Sequence, residues 1–336
     1  MPIIEDLIVS DHGAFVGLHS ERLRLSVADQ KPQDAPLMYL QSVQIVTRSA
    51  SLSASALYAC CEAGIPIHFI DPVEGHYASL LSSKLTTVVA TRRAQLEVLH
   101  SPVGVRIAQA LAAGKLQSQA ANLRYIAKRQ DETTAQHLRG VAQDLLDYAD
   151  RLAKLRASEV EEVRQTLMGI EGRATRLYWE ALGMMIPEQY AWQGRTGRHA
   201  SDSVNVLLNY GYGILYGEVQ NALAIAGLEP YAGLIHTDRP GKPSLTCDLI
   251  EEFRAPIVDR TVIGLVNRHY EVKFDEHGRL ERNFRRDFAQ HILSRLHAQG
   301  VYEGKRYALR SIIQRQARRL AAAFRGEKDY EAYTGG

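Results

Sequence analysis

The sequence contains few cysteines and no long hydrophobic run, and these absences narrow its class. Its three cysteines are Cys60, Cys61 and Cys247. An odd number with two adjacent argues against a disulfide framework and against a four-cysteine zinc site. No stretch reaches the roughly 18 consecutive apolar residues of a membrane helix, and the acidic start lacks the basic and apolar regions of a signal peptide. We therefore expect a cytoplasmic protein without a membrane span.

A large excess of positive charge is also absent, since the formal net charge is only +2. The distribution is more informative than the total. We expect a last long helix within residues 305–325, where no Asp or Glu occurs and the basic residues are Lys305, Arg306, Arg310, Arg315, Arg318, Arg319 and Arg325. Such a run fits contact with DNA phosphates. The alternative is a solvated face whose charge is balanced by acidic residues elsewhere.

The pattern of apolar and polar residues changes once along the chain. Before about residue 82, short segments such as 23–27 alternate apolar and polar residues, a pattern typical of strands. From about residue 88, apolar residues recur at helical spacing in long segments rich in Ala, Leu, Arg, Gln and Glu. The prediction is an α+β protein with a small N-terminal β-rich domain (1–85), a larger all-α domain (86–326) and a loose polar tail (327–336).

Three places in the helical part carry residues suited to chemistry. Glu171 stands in a Gly-Ile-Glu-Gly sequence at the entry to a helix. His236 precedes a turn that contains Pro240 and Gly241. In the segment 244–253, Ser244 is a plausible helix N-cap, and Asp248 and Glu251 follow with i, i+3 spacing, on one side of the helix.

Two carboxylates on one helix face repel each other unless a positive charge lies between them. A hard divalent cation is one solution, and oxygen ligands favour magnesium or manganese. Glu171, His236 and Glu251 can form such a site with Asp248 beside them, and the ion would stabilise charge in phosphodiester chemistry. The alternative is equally simple: Glu171 and Glu251 are ordinary helix carboxylates, and His236 is a surface or capping residue.

At these same residues the sequence resembles the CRISPR-associated integrase family, which inserts new spacers into CRISPR arrays. Four segments match in the order and at the spacings of the family. They are Glu171-Gly172-x-Ala174 with Tyr178, Arg198 to Asn205 including Asp202, Gly227 to His236, and Ser244 to Phe253-Arg254 ending in Val258-Asp259-Arg260. The N-terminal strands also fit the family pattern. The resemblance implies that the helical domain is catalytic and that the β-rich domain mediates dimerisation.

The resemblance further implies a set of site residues. Glu171, His236 and Glu251 would bind Mg²⁺ or Mn²⁺, and Asp248 would be an accessory acid. Because Glu252 is adjacent, the acidic ligand has a one-residue ambiguity. Contacts with DNA are expected at Tyr216 and, from the basic run, at Arg315, Arg318 and Arg319.

The implied reaction is metal-dependent strand transfer, in which a DNA 3′-hydroxyl attacks a phosphodiester of the repeat; disintegration of branched DNA is its reverse. The implied assembly is a homodimer that joins a small ferredoxin-like CRISPR-associated protein on double-stranded spacer precursor and repeat DNA. Two alternatives remain at this point. One is a branched-DNA repair nuclease without integration, and the other is a non-catalytic DNA-binding scaffold whose acids serve as helix caps.

Overall fold

The computed structural model describes residues 4–71, 75–82, 89–197, 200 and 202–335. It has strands first and helices after, so the predicted α+β class is confirmed. The described residues form two compact units. The first unit draws on Met1–Leu85, Gly197–Gly217 and Glu271–Ser294, and the second on Thr86–Thr196, Glu218–Tyr270 and Arg295–Gly336. Two later segments thus group with the N-terminal strands, while the boundary expected after residue 85 falls in 83–88, outside the described residues.

Two small sheets of short strands lie in the first unit. Their strands are β1 (Asp6–Val9), β2 (Phe15–His19), β3 (Arg22–Ser26), β4 (Gln33–Pro36), β5 (Ser42–Ile45), β6 (Ser51–Leu52), β7 (Ile67–Asp71) and β8 (Gly75–Leu80). One sheet has the order β1-β5-β7-β8, with β8 antiparallel to β7 and the other pairs parallel. The other sheet has the order β4-β3-β2-β6. In β3, Leu23 and Leu25 are buried between less buried neighbours, so this alternation places one face in the core.

Helices dominate the rest of the chain. Their bounds are α1 (Ala54–Ala63), α2 (Val89–Glu97), α3 (Pro102–Ala127), α4 (Glu132–Ala153), α5 (Val160–Gly183), α6 (Ser203–Ile225), α7 (Ser244–Phe253), α8 (Arg260–Val266), α9 (Arg282–His297) and α10 (Leu309–Phe324). A π-helical segment, Arg254–Asp259, joins α7 to α8. No helix in the described part of the chain combines the length and apolar character needed to cross a membrane.

Helix α3 is central to the second unit, because α4, α5 and α7 all pack against it. Small residues along α3 also permit a close approach of the C-terminal segment. The clearest case is Gly114, where an added Cβ would lie 2.2 Å from the Cβ of Ala332. A larger residue at position 114 would therefore displace the C-terminal segment or the helix.

The helix expected within residues 305–325 begins later than predicted, because its first residues form a strand. Strands β9 (Gln299–Tyr302) and β10 (Lys305–Ala308) pair as an antiparallel hairpin, and α10 starts at Leu309. The hairpin turn consists of Glu303 and Gly304, both with positive φ (49° and 73°). A two-residue turn with this backbone matches the twist of paired strands.

The C-terminal segment 327–336 was predicted to be loose, and this is wrong for its described part, Glu327 to Gly335. Tyr330 and Tyr333 are buried, at 7% and 5% exposure. The Tyr330 hydroxyl donates to Glu252 Oε1 at 2.5 Å, and the Tyr333 N–H donates to Glu252 Oε2 at 2.8 Å. Two aromatic rings and a buried carboxylate thus fix a segment whose polar composition predicted mobility.

Candidate functional site

The loop that carries His236 is fastened to the start of α7. Ser244, predicted as an N-cap, is instead the first helical residue, and the side chain of the capping residue Pro243 makes no capping hydrogen bond. The Ser244 hydroxyl accepts the Gly233 N–H at 2.9 Å and lies 2.5 Å from the Tyr231 carbonyl oxygen. A Cβ at Gly233 would come within 2.7 Å of the Ser244 Cβ, so only glycine allows this approach.

Asp248 completes the attachment of the loop and orients His236. Its buried carboxylate accepts the backbone N–H groups of Leu234, Ile235 and His236 at 2.6, 3.1 and 3.0 Å. Its Oδ1 also lies 2.7 Å from His236 Nδ1. With the carboxylate ionised, Nδ1 is the donor, which leaves the His236 Nε2 lone pair as the available ligand. Asp248 is therefore a positioning residue, with both oxygens occupied by the loop.

Two of the predicted ligands, Glu171 on α5 and Glu251 on α7, are joined by a residue that the motifs did not indicate. The Lys115 ammonium on α3 donates to Glu171 Oε1 at 2.5 Å and lies 2.9 Å from Glu251 Oε2. Arg254 Nη1 lies 2.8 Å from Glu251 Oε1. Protein cations thus offset the carboxylate repulsion for which the sequence predicted a metal ion.

Because the side chains of this cluster are buried, their charges interact strongly with one another. The side chains of Lys115, Glu171 and Glu251 are 11%, 15% and 8% exposed. Burial disfavours the Lys115 ammonium, but Glu171 and Glu251 outweigh this and raise its pKa to about 12. Burial likewise opposes ionisation of Glu251, yet Arg254, Lys115 and His236 lower its pKa. A protonated His236 adds to this effect on Glu251, so the imidazole lies within electrostatic range of this glutamate.

Glu252, the neighbour that made the acidic ligand ambiguous, has a different environment. Its carboxylate accepts hydrogen bonds from Tyr330 Oη, the Tyr333 N–H and Gln316 Nε2, the last at 2.8 Å. Burial raises its pKa to about 7 despite these donors. Glu252 therefore holds the C-terminal segment, and Glu251 is the residue that shares Lys115 with Glu171.

The donor atoms fit a hard divalent cation, although the described residues do not form a ready coordination sphere. Within the described part of the chain, no three His, Cys, Asp or Glu side chains are grouped closely enough to hold a metal. Carboxylate oxygens and one imidazole nitrogen are nevertheless the ligands that Mg²⁺ and Mn²⁺ accept. Among the described residues, buried Glu251 Oε2 has no partner with hydrogen-bond geometry, since its contact with Lys115 is an ion pair only. Loading the site would require this ammonium to move.

Tyr178, part of the first matched segment, is structural. It is fully buried, donates to Asp259 Oδ2 at 2.8 Å and accepts from Asn122 Nδ2 at 2.9 Å. A hydroxyl enclosed in this way cannot act as a nucleophile. Of the second matched segment, Arg198, His199 and Ser201 lie outside the described residues, while Asp202 caps α6 by accepting the Asn205 N–H at 2.9 Å.

The basic run is only partly available for DNA. Arg319 pairs with Glu303 and Glu331, Arg310 with Glu218, and Arg325 with the nearby Glu327, so acids outside the run neutralise three of its charges. Arg315 and Arg318 are exposed, and the Arg315 guanidinium lies 4.0 Å from the centre of the Tyr307 ring.

Tyr216, the other predicted DNA contact, lies in the first unit. Its ring is half-buried, with its centre 5.5 Å from that of His76.

Sequence reasoning missed Lys115, although a signal was present. It is the single charged residue between Arg106 and Arg124 on α3, in a run of small and apolar residues. A lone charge on a buried helix face requires a partner of opposite sign.

The chain is similar to known proteins over almost its whole length. The family described as CRISPR associated protein Cas1 matches residues 7–293. A CRISPR-associated endonuclease Cas1 from Archaeoglobus fulgidus is 32% identical, over 97% of this chain and 98% of its own length.

Two solved structures share the fold at 22% identity. A casposase bound to an integration product has a TM-score of 0.83, covering 98% of this chain and 93% of its own. A Cas6-RT-Cas1–Cas2 complex has a TM-score of 0.76, covering 98% of this chain and 36% of its own. The extent of the family match and the near-complete alignment with the Archaeoglobus protein lead to one conclusion: the chain belongs to the CRISPR-associated Cas1 family.

Proposed function

We propose that this chain is the integrase of CRISPR spacer acquisition, a divalent-metal-dependent DNA endonuclease and strand transferase. One observation carries the proposal. Glu171 and Glu251 both contact the buried Lys115 ammonium, and Asp248 holds His236 nearby. The relative named an endonuclease and the fold shared with a casposase on its integration product support the same chemistry.

In this proposal Glu171, His236 and Glu251 hold Mg²⁺ or Mn²⁺. When bound, the ion supplies charge stabilisation for the attacking and leaving oxygens of the phosphodiester. Asp248 accepts the hydrogen bond of the His236 Nδ1 proton, which fixes the tautomer in which Nε2 of the neutral imidazole carries the lone pair for the ion. Arg254 keeps Glu251 ionised and fixes its rotamer through Oε1.

The substrates follow from the reaction class. A DNA 3′-hydroxyl attacks a repeat phosphodiester, and the reverse reaction resolves branched DNA. We further propose that the protein acts as a homodimer with a small ferredoxin-like Cas protein. The fold shared with the Cas1 part of a complex that includes Cas2 supports such a partner.

The test is a joining assay on a duplex with 3′-hydroxyl ends and a repeat-containing target, with the partner protein present. Glu171→Gln should abolish joining, while Glu180→Gln, an exposed glutamate on the same helix, should leave it unchanged. Joining by wild type should require Mg²⁺ or Mn²⁺ and stop with chelator. Cleavage without joining would replace the proposal with a repair nuclease. Full activity of Glu171→Gln would remove this site from the mechanism.

A further inference from the structure

A second group of positive charges lies on α3, apart from the cluster around Lys115. A cavity of about 450 Å³ is bounded by α3, α4, the first residue of α8 and the C-terminal segment. Its charged lining consists of Arg124, Lys128 and Arg260, and none of the described residues that line it is acidic. Arg124 and Lys128 are one helical turn apart and exposed, so both ammonium and guanidinium groups are accessible from solvent.

Arg260 is held rigidly in this cavity. Its guanidinium lies 4.1 Å from the centre of the Tyr125 ring, and its Nε donates to Asn122 Oδ1 at 3.0 Å. Asn122 is itself fixed by its bond to Tyr178. The terminal nitrogens of Arg260 have no hydrogen-bond partner among the described residues. A guanidinium positioned through Nε and its flat face presents the two-pronged edge that matches a phosphate.

The charge of Arg260 lacks a carboxylate partner in the described part of the chain. Burial, and then the nearby charge of Arg295, lowers the pKa of Arg260. Arg295 donates to the Pro256 carbonyl oxygen at 2.9 Å, which offsets no charge. Asp259, next in sequence, receives the Tyr178 hydroxyl at 2.8 Å. Two half-buried guanidiniums that have no carboxylate partner among the described residues repel each other, and a bound anion would relieve this repulsion.

We infer that this cavity binds a phosphate group of a nucleic acid strand, with Arg260 as the fixed fork and Arg124 and Lys128 as the outer charges. Only the assignment of this phosphate to a nucleic acid strand rests on the proposed function. Helix α3 supplies both Lys115 and Arg124, and their nine-residue separation corresponds to about 14 Å along the axis. Nine residues are about two and a half helical turns, so the two side chains lie on opposite faces of α3, and the cavity would contact a different part of the strand from the one at the candidate active site.

The experiment measures binding of a labelled single-stranded DNA oligonucleotide to the full chain by fluorescence anisotropy, over a series of salt concentrations, with chelator present. The double variant Arg124→Gln/Lys128→Gln removes two exposed charges without disturbing the core. Arg260→Lys keeps the charge and removes the fork. The matched control is Arg106→Gln, an exposed arginine on α3 outside the cavity.

The double variant should bind about tenfold more weakly than wild type, and the slope of log affinity against log salt should become shallower by about 1.4, or about 0.7 for each lost contact. Arg260→Lys should also weaken binding, because an ammonium cannot replace a bidentate guanidinium. Arg106→Gln should match wild type.

Equal affinities and slopes for the cavity variants and Arg106→Gln would overturn the inference. Unchanged DNA binding, combined with thermal stabilisation by inorganic phosphate that only wild type shows, would make this a site for free anions and overturn the strand assignment. Because chelator prevents catalysis, a failure of metal-dependent joining has no effect on this assay. The two proposals therefore fail separately.

Discussion

The position of Lys115 between two buried glutamates makes a specific energetic prediction. In Lys115→Met, Glu171 and Glu251 would face each other with Arg254 as the remaining cation close to Glu251. Removing one partner of a buried ion pair costs about 3–5 kcal/mol, because the other charge stays buried. At about 2 °C per kcal/mol for a chain of this size, Tm should fall by about 6–10 °C in the absence of divalent metal.

The same variant should gain more from metal than wild type does. A divalent cation would bind the two carboxylates without displacing an ammonium, and ligand at a hundred times its Kd stabilises by about 2.7 kcal/mol. Differential scanning calorimetry with and without Mn²⁺ measures both effects. Lys154→Met, which removes an exposed lysine just after α4, is the control and should change neither value. The double variant Lys115→Met/Glu251→Gln should regain stability and lose the extra response to Mn²⁺.

Two results would refute this reasoning. One is a Lys115→Met protein within about 0.5 kcal/mol of wild type, the range of ordinary surface substitutions. The other is an equal Mn²⁺ shift in the variant and in wild type, which would mean that Lys115 and the metal do not share a site.

Three further predictions concern the surroundings of the site. The folded-state pKa of Glu252 is raised from 4.5 to about 7, so the folded protein binds more protons than the unfolded chain in this window. Stability of wild type relative to Glu252→Gln should therefore fall between pH 4.5 and 7 by up to about 3 kcal/mol, and parallel urea midpoints at all pH values would contradict this. Gly114→Ala should cost about 1–3 kcal/mol, since its Cβ meets Ala332; susceptibility of the C-terminal segment to carboxypeptidase should rise with it, and an unchanged digestion rate would count against the packing. Asp248→Asn should reduce the affinity for Mn²⁺ about 10–100-fold by releasing His236. Isothermal titration measures this affinity, and a value equal to that of wild type would contradict the prediction.

Local sequence patterns were sufficient for the fold class and for the helical character of the chain after about residue 88, because burial of one helix face makes the apolar residues recur at helical spacing. They failed where long-range contacts decide the structure. Tyr330 and Tyr333 lie in a polar segment, and contacts with Glu252, which is distant in sequence, help to order it. The strands β9 and β10 have four residues each, which is too short for a clear alternation of apolar and polar residues. The basic residues of β10 are continuous in sequence with those of α10, so the sequence predicted one helix.

In the candidate site too, local sequence patterns predicted part of the arrangement and long-range contacts decide the rest. The i, i+3 spacing correctly signalled that Asp248 and Glu251 need compensation, but not its source. Three backbone N–H groups and His236 compensate Asp248, while Lys115 and Arg254 compensate Glu251. These partners come from α3, from the His236 loop and from the π-helical segment that follows α7, and only the Arg254 contact is local in sequence. The partners of the basic run were not predicted for a related reason, since the acids that pair with Arg319 come from the β9–β10 turn and the C-terminal segment.

The most direct test of the central claim compares two adjacent residues. Glu251→Gln and Glu252→Gln each remove one carboxylate from α7, yet only Glu251 shares Lys115 with Glu171. Metal-dependent joining of a 3′-hydroxyl duplex to repeat DNA should be lost in Glu251→Gln and kept in Glu252→Gln at a pH where both are folded. Activity retained in Glu251→Gln would contradict the account and show that this carboxylate does not serve the reaction.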